Sequence, residues 1–238
     1  MLELKNISFQ AEDEKEILKD VSLKIDDKIV VITGPNGGGK STLAKVIAGI
    51  VTPTGGQILL DGEDITGYSV TERANAGISL AFQQPVRFKG LTVRDLITIA
   101  AGKELNVSEA CSYLSEVGLC AKDYIDRELN ASLSGGEIKR IEIATILARG
   151  SKFSIFDEPE AGIDLWSFQS LIRVFEKMQK EYKGTILIIS HQERILDIAD
   201  KIIYLKDGMV EQYGPKDEIL KTLINAAQPG CDVLMQKI

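Results

Sequence analysis

Gly34-Pro35-Asn36-Gly37-Gly38-Gly39-Lys40-Ser41 is the stretch on which the fold turns. It fits the pattern G-x-x-x-x-G-K-[ST], and both required flanks are present. The apolar run Ile29-Val30-Val31-Ile32 precedes it, and the helical spacing of Leu43, Val46 and Ile47 follows. Glycines let the backbone curl until successive N–H groups point inward, which suits the oxygens of a phosphate chain. The cradle runs from Gly34 through Pro35, Asn36, Gly37, Gly38 and Gly39 to Lys40, Ser41 and Thr42. Lys40 is placed to reach the β- and γ-phosphates of a nucleotide, and Ser41 to ligate Mg²⁺.

Working outward, the first third reads as strands and turns. Leu2 to Phe9 and Val21 to Ile25 alternate apolar and polar residues, with the charged loop Glu12-Asp13-Glu14-Lys15-Glu16 between them. Ser41 to Gly49 is a predicted helix that stops at glycine, and Gln57 to Leu60 a strand ending in the turn Asp61-Gly62. Ile78 to Phe82 is a further strand. From about Leu91 the pattern becomes helical: Val93 to Ala101, Ser108 to Val117 and Glu137 to Arg149. Phe153 to Phe156 returns to a buried strand. Helix Trp166 to Tyr182, strand Thr185 to Ser190, helix Glu193 to Ala199 and strand Ile202 to Leu205 complete the alternation. Asp207-Gly208 predicts a hairpin turn and Pro215 the start of a last helix. Strands alternating with helices imply an α/β fold with a mainly parallel sheet.

Composition fits this picture and excludes others. The 238 residues are 44% hydrophobic and 26% charged, with a formal net charge of -7, so a broad nucleic-acid footprint is not expected. No apolar run approaches the roughly 20 residues of a membrane span, and the N-terminus lacks a secretory pattern, so a cytoplasmic location is expected. Cys111, Cys120 and Cys231 have no metal-ligand spacing and read as reduced thiols.

Three further groups carry chemistry. Asp157-Glu158 closes the strand Phe153 to Phe156, where an aspartate suits a hold on Mg²⁺ and the glutamate can polarise an attacking water. His191, the one histidine, follows another strand end and is placed to bind the γ-phosphate and orient water. Leu133-Ser134-Gly135-Gly136-Glu137 opens a helix with a serine hydroxyl and unpaired N–H groups, a second grip for an anion. One nucleotide does not need two distant grips, so Ser134, Gly135 and Gly136 are expected to serve a neighbouring subunit's nucleotide.

Phosphate loop, LSGGE, FDEP and SH, in that order, resemble the nucleotide-binding domain of ABC-type ATPases over nearly the whole chain. The resemblance implies one P-loop ATPase domain spanning 1–238, with an N-terminal antiparallel β subdomain and a helical subdomain inserted at about 91–149. It implies ATP and Mg²⁺ as ligands and hydrolysis of ATP to ADP and phosphate. Glu158, His191, Lys40 and Gln83 take the catalytic positions, and Ser41, Gln83 and Asp157 the metal positions. Ala161-Gly162-Ile163-Asp164 matches the loop that crosses to the other subunit of a head-to-tail pair enclosing two ATP molecules. Two departures stand out: Ala11 occupies the position where the family stacks an aromatic ring on adenine, and Glu137 replaces a glutamine.

A finer resemblance points to the SufC-type ATPases of iron–sulfur cluster assembly. It rests on Leu80-Ala81-Phe82-Gln83-Gln84-Pro85-Val86, on Ser134 to Arg140 with Glu142-Ile143, and on Glu193 to Asp197. Under it, Gln84 to Asp95 docks a soluble SufB/SufD-like scaffold. The alternative is the ATP-binding subunit of a membrane transporter, with the same surface receiving a permease helix. Phe156, Pro159 and the Ala161 to Asp164 loop look more transporter-like. A third possibility, a regulatory module without turnover, is disfavoured because Lys40, Asp157, Glu158 and His191 are all present.

Overall fold

The computed structural model describes residues 1–11, 14–84, 86, 88–129 and 133–227. Strands β1 (Leu2–Gln10) and β2 (Glu16–Ile25) pair antiparallel, and β3 (Ile29–Thr33) is buried at every position. Helix α1 (Lys40–Ile47) follows, then β4 (Gly55–Leu60), β5 (Glu63–Asp64), α2 (Val70–Ala76) and β6 (Ile78–Ala81). Helices α3 (Val93–Ala101), α4 (Val107–Glu116), α5 (Ala121–Tyr124) and α6 (Gly135–Arg149) come next. The chain then alternates through β7 (Phe153–Asp157), α7 (Leu165–Glu181), β8 (Thr185–Ile189), α8 (Glu193–Asp197) and β9 (Lys201–Lys206). It ends with β10 (Met209–Pro215) and α9 (Lys216–Ala227).

Two sheets form among the described residues. The antiparallel one has the order β2-β1-β4-β5, and the larger one β10-β9-β3-β8-β7-β6. In the larger sheet β9, β3, β8, β7 and β6 are parallel, and β10 adds an antiparallel edge. Strand alternation divides the core. Ile29 and Val31 face the cluster built with α3, α4, α6 and α7, while Val30 and Ile32 face α1 and the antiparallel sheet. Burial on both faces explains why β3 and β8 read as nearly continuous apolar runs. Parallel pairing also brings the carboxyl ends of β3, β6, β7 and β8 to one edge, where open α/β sheets bind ligands.

Arg73 of α2 ties down the helix behind the glycine-rich loop. Its side chain is buried and donates from Nη1 to the Val46 and Ile47 carbonyls at 2.6 and 2.9 Å. Nη2 reaches the Thr66 carbonyl at 2.8 Å and Nε that of Tyr68 at 3.2 Å. The last carbonyls of a helix lack intrahelical donors, so a cation there both satisfies them and complements the helix dipole. Burial pushes the Arg73 pKa down, opposed by the charge of Asp64.

The structure corrects several expectations from sequence. β2 begins at Glu16 rather than Val21, because pairing of Phe9 with Leu18 and Gln10 with Glu16 overrides the charged composition. Bulges along β1 and β2 blur the alternation there. Helix α2 was not anticipated, since it has no apolar period; its signal is the capping box of Ser69 and Glu72 and the left-handed Gly77. α5 and β5 are too short to show a period. Helix α6 starts at Gly135, not Glu137, with Ser134 as its cap. Pro215 ends β10 instead of opening α9; on an edge strand its missing N–H costs no ladder bond. Glu12, Asp13, Pro85 and Cys231 lie outside the described residues.

Candidate active site

β3 delivers Gly34 at its carboxyl end, and the loop turns into α1 with Gly39 as N-cap in a left-handed conformation (φ 98°). Glycine offers no side-chain oxygen, so the first N–H groups of α1 keep their donors for an external anion. By contrast, α2, α3 and α4 close their own ends with capping boxes, while the box of α6 engages the N–H groups of Ser134 and Glu137 and not those of Gly135 and Gly136. A cavity of about 470 Å³ opens over this loop, lined by Asn36, Gly37, Gly39, Lys40, Ser41 and Thr42 and also by Glu158.

Lys40 is 6% exposed and folds back on the loop, donating to the carbonyls of Gly34 at 2.8 Å and Pro35 at 2.9 Å. Burial lowers its pKa, while Glu158 and Asp157 oppose that shift. Ser41 Oγ donates to Asp157 Oδ1 at 3.0 Å across from the end of β7. Burial raises the Asp157 pKa, and the Ser41 bond opposes it. A hydroxyl and a carboxylate converging beside a phosphate-type loop form the oxygen-donor set that Mg²⁺ prefers, so these residues fit that ion. Glu158 sits at φ 45°, its N–H donates to the Ile189 carbonyl at 3.0 Å, and its carboxylate accepts from Gln83 Nε2 at 2.5 Å.

The structure thus brings Lys40, Ser41, Asp157, Glu158 and Gln83 together. His191 follows β8 but is exposed and does not line the cavity; its neighbour Ser190 is buried and donates to Glu160 Oε1 at 2.5 Å. Ser134, Gly135 and Gly136 also lie away from the cavity. They face the start of α7 instead: a Cβ on Gly135 would lie 3.3 Å from the Gly162 carbonyl oxygen, and one on Gly136 3.2 Å from Ser167 Oγ. The Ser134 N–H donates to Glu137 Oε2 at 2.6 Å, and the Glu137 N–H to Ser134 Oγ at 3.3 Å. Burial pushes the Glu137 pKa up, but hydrogen bonds from Tyr124 and Ser134 outweigh it and hold it low.

Two sets of contacts escaped the sequence reading. Ile17, Lys19, Asp207 and Gly208 help line the cavity, and the hairpin turn is stitched to the loop by a Gly208 N–H to Gly38 carbonyl bond of 3.2 Å. Asp-Gly announces only a turn; nothing in it names what the turn touches. The second set is Lys139 and Glu142 on α6. Lys139, 3% exposed, donates to the Phe82 carbonyl at 2.5 Å, and Glu142 accepts from the Phe82 N–H at 3.1 Å. The helix carrying Ser134 is therefore bolted to the residue before Gln83. Phe9, the aromatic residue two positions before Ala11, packs on the core opposite Leu18.

Beside this junction runs an apolar groove of about 190 Å³ between β6, α3 and α6. Phe82, Val86 and Phe88 stand at its rim, 38–47% exposed.

Residues 18–161 match the family model described as ABC transporter. The chain belongs to that family. It is accordingly an ABC-type domain that binds and hydrolyses ATP. An uncharacterized ABC transporter ATP-binding protein of Methanocaldococcus jannaschii is 39% identical over 214 residues, covering 86% of this chain and 85% of the relative. Among solved structures, a dimeric ATP-binding cassette in a post-hydrolysis state with ADP and Pi superposes with a TM-score of 0.80 at 26% identity. That match covers 91% of this chain and 99% of the cassette. cbiO1 of Clostridium perfringens, described as part of the ABC transporter complex cbiONQ, gives 0.77 at 28% identity over 95% and 93% of the two chains. These ABC ATPases are of transporter type, which favours the permease expectation over the iron–sulfur scaffold. No helix among the described residues is long and apolar enough to cross a membrane.

Proposed function

We propose that this chain is the ATP-binding subunit of a membrane transporter, working as a pair of copies that close around two ATP molecules. The observation that carries the reading is the rimmed apolar groove at Phe82, Val86 and Phe88, bonded through Phe82 to Lys139 and Glu142. Exposed aromatic and aliphatic side chains around a trough suit the apolar face of a short helix. A permease helix seated there would push on Gln83 and on α6 together.

Within each site, Lys40 and the loop N–H groups hold the phosphates, and Glu158 accepts the proton of the attacking water. His191 orients that water, and Gln83 relays movement of the partner to the metal site. Ser41, Gln83 and Asp157 would hold Mg²⁺, which supplies charge neutralisation on the phosphate oxygens. Ser134 and the Gly135 and Gly136 N–H groups complete the γ-phosphate site of the partner copy. Their separation from their own cavity supports this reading. ATP then favours the closed pair, and loss of the γ-phosphate releases it.

Glu158→Gln should keep ATP binding, lower turnover by about 10²–10⁴-fold and accumulate a dimer on size exclusion with MgATP. A monomer under those conditions would sink the shared-site mechanism. Partner identity is tested by affinity purification: an integral-membrane partner retained only in detergent supports transport. A second reading, a SufC-like ATPase on a soluble scaffold, is favoured by one observation. The two stretches that resemble that branch, Leu80 to Val86 and Ser134 to Ile143, touch through Phe82, Lys139 and Glu142. A detergent-independent soluble partner would support it.

A further inference from the structure

Leu165 and Trp166 open helix α7 with side chains 66% and 81% exposed. Trp166 is the only tryptophan in the chain. Its exposure does not come from a loose backbone. Asp164 caps the helix, accepting the N–H of Trp166 at 2.9 Å and of Ser167 at 3.1 Å, and takes the Ser167 hydroxyl at 2.7 Å. The core stripe of α7 runs through Leu171, Ile172, Val174, Phe175 and Met178, and Trp166 lies outside it. A rigidly mounted indole is thus held largely in water.

The position of this pair matters. It follows the 161–164 loop, and the same short segment touches Gly135 and Gly136 through Gly162 and Ser167. Trp166 therefore extends the surface on which Ser134 waits, and Ser134 has no nucleotide of its own to meet. Exposed tryptophans on rigid elements are the side chains that most often anchor interfaces. We propose that Leu165 and Trp166 form an apolar anchor against a second copy of this chain in the ATP-closed pair. This rests on the paired reading above. In a two-fold arrangement the anchor counts twice, since each copy presents its own pair. The polar Ser134 loop then supplies recognition of the γ-phosphate, and the indole supplies apolar area beside it.

The single tryptophan makes the test direct. In full-length Glu158→Gln, MgATP should shift the emission to the blue and reduce acrylamide quenching by about twofold or more, with MgADP as control. Adding Trp166→Ala should weaken ATP-driven dimerisation by about tenfold, while single-chain MgADP affinity and Tm stay at parental values. Trp166→Phe should restore most of the pairing. A dimer whose indole remains as quenchable as the monomer's, or a Trp166→Ala variant that pairs as tightly as its parent, would overturn the anchor and leave the paired reading standing. Failure of Glu158→Gln to pair at all would overturn the paired reading first, and the anchor with it.

Discussion

Replacing Arg73 with methionine keeps the aliphatic stem and deletes the guanidinium. The Thr66 and Tyr68 carbonyls lie in partly buried bonds and can recover water, but those of Val46 and Ile47 are accepted in buried ones. The Val46 carbonyl keeps the Gly49 N–H at 3.2 Å, so Ile47 is the buried carbonyl left unpaired, at a cost of about 1–3 kcal/mol. Removing a cation whose pKa burial already depresses returns part of that, because its desolvation cost disappears as well. A net loss of about 1–2 kcal/mol remains. For a chain of 238 residues, each kcal/mol moves Tm by about 2–4 °C, so the fall should be about 2–8 °C. Thermal unfolding followed by far-UV circular dichroism without nucleotide, at fixed scan rate and concentration, measures it. Arg73→Lys, which reaches fewer carbonyls, should fall between the two. A methionine variant within about 1 °C of the parent would refute the strut, because the Ile47 carbonyl would then have found water without loss.

Two other expectations are simpler. Gly34→Ala places a Cβ 2.0 Å from the Leu205 carbonyl oxygen at a φ of +137°, so MgADP binding measured by calorimetry should drop at least about tenfold. Unchanged affinity would mean that the loop can move away from β9. Glu142 has its pKa raised by burial, against Lys139 and the Phe82 N–H, so the folded chain holds its proton above the ordinary value near 4.5. Stability from that proton is full below this value and is lost as pH rises through the folded pKa. Glu142→Gln should therefore flatten the decline in Tm between about pH 4 and pH 7, and superimposable profiles for parent and variant would contradict the assignment.

Legibility in the sequence followed locality. Gly34 to Ser41 was readable because eight consecutive residues and two flanking elements carry the whole pattern. Asp157 and Glu158 were readable because an apolar strand points at them. The first half of β2 was hidden: Glu16, Lys19 and Asp20 are polar, and their strand exists because β1 pairs with it. Helix α2 carried a signal in Ser69 and Glu72, but not the apolar period that betrays most helices. Lys139 stands beside Arg140 and carries no local sign of burial. Its burial depends on α6 lying over the end of β6, a contact between segments 57 positions apart. The choice between permease and scaffold was least legible, because the groove at Phe82, Val86 and Phe88 is assembled from elements that share no local motif.

The stitching of Gly38 to Gly208 also bears on how the domain assembles. The phosphate loop is complete as a string of residues within the first fifth of the chain, yet its backbone rests against Leu205 and Gly208, near the end. Such contacts close a very long loop of chain and come late in folding, after local helices and hairpins. A chain emerging from the ribosome carries the motif long before it has the cradle. Any fragment ending before β9 has the letters of a nucleotide site without the wall that shapes it.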